Sequence, residues 1–217
     1  MFDMLALPSV ILVTLTSLRL LTISEWRLNI IALGLQYIGV SLLVALSWPV
    51  EMAVTKLVAG WMSGAVLGMA MTTFPALRQS HPENPEMAVL PADEPAAEQP
   101  ATGYLAAGSL FRILAAALLG LTVLSIAPTL PEWFPGITLT QAWGSLVLIG
   151  LGLLHLGLTA NPFRTIIGLL TALSGFEILY AAVESSTLVA GLLAAVNLGL
   201  SLMGAYLVVA HTMEETE

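Results

Sequence analysis

The chain is 217 residues long, 58% hydrophobic and only 9% charged, with a mean hydropathy of +0.93, a composition outside the range of water-soluble domains. It has no cysteine, which excludes a disulfide framework, thiolate metal sites, iron–sulfur ligation and c-type haem attachment. The formal charge of −8 comes largely from one loop and the C-terminal tail, so it describes solvated segments, and nothing supports nucleic-acid binding.

The apolar residues fall in blocks of about 20, the length a helix needs to cross a bilayer core, without the two-residue alternation of a membrane β-barrel. The expected fold is therefore all-α, with seven transmembrane helices in a multi-pass protein of the inner (plasma) membrane. Residues 1–4 carry Asp3 and no Lys or Arg, and no small-residue cleavage site follows, so the first block reads as a retained helix and not a secretory signal.

In chain order, helices are predicted over Met4–Leu21, Leu28–Trp48 and Met52–Phe74, joined so tightly that neighbours must be antiparallel. This three-helix part, residues 1–74, is followed by a linker over residues 75–104 that holds half of the twelve prolines and five acids; its composition predicts disorder. A four-helix part, residues 105–210, follows with helices over Leu105–Ala127, Leu139–Leu158, Phe163–Val183 and Leu188–Ala210, and residues 211–217 form an acidic tail. Between the fourth and fifth helices, three prolines in Pro128–Gly136 forbid a regular helix, and Trp133 and Phe134 suit a membrane interface. Arg19, Arg27, Arg78, Arg112 and Arg164 fall on one side of this plan, with only Lys56 near the other. The positive-inside rule then puts the N-terminus outside and the C-terminus in the cytoplasm.

Small residues at a spacing of four mark candidate helix contacts, because close backbone approach drives association in lipid. Gly60, Gly64 and Gly68 form one stripe in the third helix, and Gly191, Ala195 and Gly199 form another in the seventh, which has a second small face through Ala194, Ser201 and Gly204. The bland alternative is that glycine is simply common in membrane helices.

Few ionisable residues lie at depth: Lys56, His155, Glu177 and, near a helix end, Glu184. Each is costly there, which makes it a functional candidate. Thr171, Ser174 and Glu177 recur at intervals of three and define a polar stripe on the sixth helix. Lys56 shares the face of Gly60 and reaches a depth similar to that of Glu177, so the two are a candidate pair; the competing reading has Lys56 snorkelling to the headgroups and Glu177 as a neutral structural acid. Asn197, near the bilayer centre, and Gln36 read as interhelical hydrogen-bonding amides. His155 reads as structural. The candidate proton or ion path is thus Glu177, Lys56, Asn197, Ser174 and Ser201. No nucleophile with a base, phosphate loop, cofactor motif or metal-ligand spacing is present, so no catalytic centre is expected.

Leu158-Thr159-Ala160-Asn161, Ile166-Ile167-Gly168-Leu169 and Ala194-Ala195-Val196-Asn197-Leu198-Gly199 give the last three helices a resemblance to subunit K of the NADH-quinone oxidoreductases and to its three-helix counterpart in the Mrp-type antiporters, MrpC. Over its whole length, with Leu15-Thr16-Ser17, Arg27-Leu28 and Gln36, the chain resembles the E subunit of membrane-bound hydrogenases of the hydrogenase-four type. The resemblance implies a small subunit of a proton- or sodium-translocating complex, packed against larger antiporter-like membrane subunits and a redox module. It also implies carboxylates at positions that are Leu170, Leu173 and Asn197 here. Glu177, seven residues after Leu170, lies near the same helical face and is the candidate displaced carrier. The alternatives are a non-transporting scaffold of such a complex and a free-standing small permease, the latter disfavoured by the lack of an internal repeat and of broken helices.

Overall fold

The computed structural model describes residues 3–23, 25–73 and 107–214, with side chains placed for 4–23, 25–72 and 110–210. Within them, seven helices are long and apolar enough to span a membrane: α1 (Asp3–Thr22), α2 (Trp26–Val44), α3 (Val50–Thr73), α4 (Ala107–Ile126), α5 (Leu139–Gly157), α6 (Pro162–Val183) and α7 (Thr187–Glu214). There is no strand among the described residues, and the chain is a multi-pass membrane protein. The linker expected at 75–104 lies outside the described residues. Of the expected tail, residues 211–214 continue α7.

Two boundaries differ from the sequence reading for local reasons. The second helix stops at Val44 and not at Trp48; Leu46 and Ser47 bond back to Leu43 and Val44 in a tightened last turn, because Pro49 disfavours helical backbone at the residue before it. Trp48 then turns inward, and its indole Nε1 donates to the Glu184 carbonyl at 2.8 Å. The proline-rich segment after α4 is not wholly irregular. It forms a 3₁₀ turn at Ala127–Thr129 and one helical turn at Leu130–Trp133, with prolines in the first positions, where the missing N–H costs nothing. Gly136, at φ 118°, supplies the left-handed residue that redirects the chain into α5.

Side-chain caps set the starts of α5 and α6. Thr138 and Gln141 make a reciprocal capping box, and Gln141 Nε2 also donates to the Leu43 carbonyl at 3.0 Å and to Ser47 Oγ at 2.8 Å. At α6, Asn161 Oδ1 accepts from the backbone of Phe163 and Arg164, ahead of Pro162. These bonds also fix the up-and-down order: the end of α2 meets the start of α5, and the Arg164 guanidinium at the start of α6 donates to the Leu21 carbonyl at the end of α1.

The helices form two facing rows. In one, α1, α2 and α3 lie side by side; in the other, α5, α6 and α7 do, with α1 against α5, α2 against α6 and α3 against α7. α4 closes one edge against α5 and α1 and is exposed along most of its length. One face of the bundle, the N-terminal face, carries the start of α1, the joint at 45–49, the turn at 127–138 and the joint at 184–186. The opposite face carries the end of α1, the start of α2, the joint at 158–161 and the end of α7. Arg19, Arg27, Arg112 and Arg164 all lie on this second, C-terminal face.

The closest helix contact is α5 on α6. A Cβ at Gly152 would stand 2.5 Å from the Ala172 backbone, and one at Gly175 would stand 2.6 Å from the Ser145 carbonyl. Such approach is possible only because each contact has a glycine on one of its two sides, Gly152 from α5 and Gly175 from α6. Thr171, Ser174 and Glu177, the polar stripe of α6, are all buried inside the bundle.

Candidate functional site

Glu177 on α6 and Lys56 on α3 meet in a buried ion pair, both side chains 6% exposed or less. Each lies two turns inside the N-terminal face, since Lys56 is six residues after the start of α3 and Glu177 six before the end of α6; at 1.5 Å per residue both are about 9 Å deep. Asn197 on α7 donates from Nδ2 to Glu177 Oε1 at 2.9 Å. Its Oδ1 accepts from the Tyr37 hydroxyl on α2 at 3.2 Å. The Tyr37 ring also faces Lys56, with Nζ 5.7 Å from the ring centroid, close enough for cation–π attraction. Four helices therefore each supply one member of a single network.

Tyr37 reaches this position because residue 60 has no side chain. A Cβ at Gly60 would lie 2.2 Å from the Tyr37 ring, so the glycine lets the ring lie flat across α3 while its hydroxyl extends to Asn197. The rest of the α3 stripe also faces α2: Gly68 and Gly64 look toward Ile30, at 3.3 and 4.0 Å from where a Cβ would stand.

Ser174 and Ser201 flank the network without entering the ion pair. Both are fully buried, and they bond to backbone carbonyls one turn back, Ser174 to Leu170 and Ser201 to Asn197. Gln36 Oε1 accepts from Ser17 Oγ on α1 at 3.4 Å, an interhelical amide contact. His155 is buried near the C-terminal face. Glu184 does not continue the polar stripe: it is the exposed residue that ends α6, and its carboxylate accepts from the Ser185 backbone.

On α7 the outcome differs from the expected packing. Gly191, Ala195 and Gly199 are exposed, and nothing lies within 4 Å of a Cβ built on either glycine. The second small face of the helix makes the contact: Ser201 is buried and Gly204 sits against Ile166, whose Cγ1 would be 2.6 Å from an added Cβ. Asn197 and Ser201 are on that inward side, which leaves the other stripe turned out.

A small cleft, about the size of one water, runs from the ion pair toward the N-terminal face past Thr55, Met52 and Trp48. The pair is thus buried but close to one surface. Chemically, an ammonium against a carboxylate can exchange a proton internally, and each partner can take up or release one in turn. The ammonium also occupies the position beside the carboxylate that a sodium ion would need. Among the described residues no group of three His, Asp or Glu side chains is placed to hold a metal ion. No protein-family model, curated protein or solved structure matches this chain.

Proposed function

We propose that this chain is a small subunit of an ion-translocating membrane complex, redox-driven or antiporter-like and related to the NADH-quinone oxidoreductases and membrane hydrogenases, and that Glu177 with Lys56 carries protons in it. The observation that supports this reading is the ion pair itself. Two opposite charges removed from water lose several kcal/mol of hydration each, and a well-packed apolar pair of similar volume commonly does as well or better. A bundle that keeps Lys56, Glu177, Asn197 and Tyr37 together at about 9–15 Å depth holds a group whose charge is useful. Intramembrane ionisable residues facing the bundle interior fit a proton relay, and an ammonium in the cation position favours protons over sodium.

In this reading the C-terminal face, with its four described arginines, is cytoplasmic, the membrane is the plasma membrane, and larger antiporter-like subunits and a redox module complete the complex. A non-transporting scaffold is the second reading, favoured by one observation: the positions where the resembled families carry acids are Leu170, Leu173 and Asn197.

Glu177→Gln separates the two, because it keeps the shape and the bond from Asn197 but cannot carry a proton. In vesicles containing the whole complex, assembly is expected to survive while ion translocation is largely lost, with Glu177→Asp milder. Translocation at the normal rate by an assembled Gln variant would leave the scaffold reading in its place.

A further inference from the structure

The ion pair approaches the N-terminal face through the cleft, and a separate set of side chains leads from it toward the opposite face. Both polar atoms of the Asn29 amide, Gln36 Nε2, Ser63 Oγ and Thr171 Oγ1 have no hydrogen-bond partner among the described residues, and all four residues are 3% exposed or less. In a bilayer each such group carries a desolvation penalty that only a hydrogen-bonding partner removes.

Their positions form a ladder. Asn29 and Gln36 on α2, Arg164 and Thr171 on α6, and Lys56 and Ser63 on α3 are each seven residues apart, two turns along one helical face. Counted from the end of each helix that lies at the N-terminal face of the bundle, Gln36 is about 12 Å deep, Thr171 about 18 Å, Ser63 about 20 Å and Asn29 about 22 Å, below the ion pair at about 9 Å. One helix ties the two levels together: Gln36 accepts from Ser17 and Arg164 donates to Leu21, positions one turn apart on α1. Leu33, between Asn29 and Gln36, and Ile167, between Arg164 and Thr171, are both completely buried and interrupt the ladder on their respective helices.

We infer that Asn29, Gln36, Ser63 and Thr171 line a hydrated route by which protons pass between the C-terminal face and Glu177, gated by Leu33 and Ile167. Water is the one partner small enough to satisfy these groups between packed helices, and an apolar constriction closes such a path by dewetting. The inference rests on the proton-carrying reading of Glu177, and it makes the chain a two-sided conduit, with the cleft past Trp48 as the opposite opening.

The native chain has no cysteine, so single thiols report water directly. Ser63→Cys and Thr171→Cys nearly preserve the native shape and are the variants of choice, with Phe176→Cys, 49% exposed on the outer surface of α6, as the lipid-facing control. Membranes containing the full chain in its complex are treated with a small anionic methanethiosulfonate, which modifies thiolate in water, from one side at a time, and labelling is read by mass spectrometry. Both internal thiols are expected to label from the side of the C-terminal face, the control to stay unlabelled, and Ile167→Ala to raise the Thr171→Cys rate by about tenfold or more. Labelling only from the N-terminal side, or none, overturns the route. This readout requires no translocation, so it stands or falls separately from the Glu177→Gln assay.

Discussion

A double-mutant cycle on Lys56 and Glu177 tests the energetic core of the site. In Glu177→Gln the ammonium of Lys56, 5% exposed, loses its counter-charge, and in Lys56→Met the carboxylate of Glu177, 2% exposed, loses its own. Breaking a buried pair in this way costs about 3–5 kcal/mol, because one charge is left uncompensated. The double variant strands no charge: Met fills the space of the lysine stem, Gln retains the bond to Asn197, and replacement of a buried pair by neutral groups is commonly neutral or better. Each single variant should therefore lose about 3–5 kcal/mol while the double variant stays within about 1–2 kcal/mol of the native chain, a coupling of at least about 4 kcal/mol. Reversible unfolding of the purified chain in detergent micelles, followed by denaturant titration, supplies the four free energies. Additive losses would show that the two side chains do not compensate each other, and the proton-carrying pair would fall with them. Translocation should be lost in all three variants, so recovery of stability without recovery of transport is the full expected pattern.

Gly175→Leu is expected to cost more than about 3 kcal/mol, since its Cβ would meet the α5 backbone at 2.6 and 2.7 Å and overpacking against a fixed chain already costs about 1–3 kcal/mol. Gly199→Leu, with open space at that point, should leave the stability of the isolated chain within about 1 kcal/mol; equal losses for the two in thermal unfolding would contradict the assigned faces of α6 and α7. Single cysteines at Asp93 and Glu132 should label from opposite sides of the membrane, the former cytoplasmic. The same accessibility at both positions would refute the seven-span plan.

The meeting of Lys56 with Glu177 was legible because helix rise fixes depth, and because glycine at i+4 turned the lysine inward. Asn197 was legible as an interhelical amide. Tyr37 was not: an aromatic residue in an apolar stretch looks like ordinary core, and its role depends on Gly60, 23 positions away in the next helix. Its hydroxyl, which needs a partner at the depth of the ion pair, was the available signal. The stripe at Gly191, Ala195 and Gly199 shows the limit of spacing arguments. α7 has two small faces, and period alone cannot say which of them meets protein, since that is decided by the polar residues Asn197 and Ser201 seeking partners on the other side. The α5–α6 contact escaped for a related reason: Gly168, Ala172 and Gly175 share one face of α6, but Ser145, Ile149 and Gly152, which meet them on α5, make no small-residue stripe and become complementary only when the two helices are brought together.

α4 contributes little to the packing of the two rows, yet the chain cannot do without the crossing it makes. Three helices starting at the N-terminal face end at the C-terminal face, so a second row attached there directly would run in the reverse sense. One additional span returns the chain to its starting side, and α5, α6 and α7 then run parallel to α1, α2 and α3. Glu177 lies six residues from one end of a helix of 22; with α6 inverted it would sit about 14 Å from the level of Lys56, and no rotamer bridges that distance. The edge helix therefore acts as a parity element: by being present, and almost regardless of its sequence, it decides that the acid of one row and the base of the other share a level.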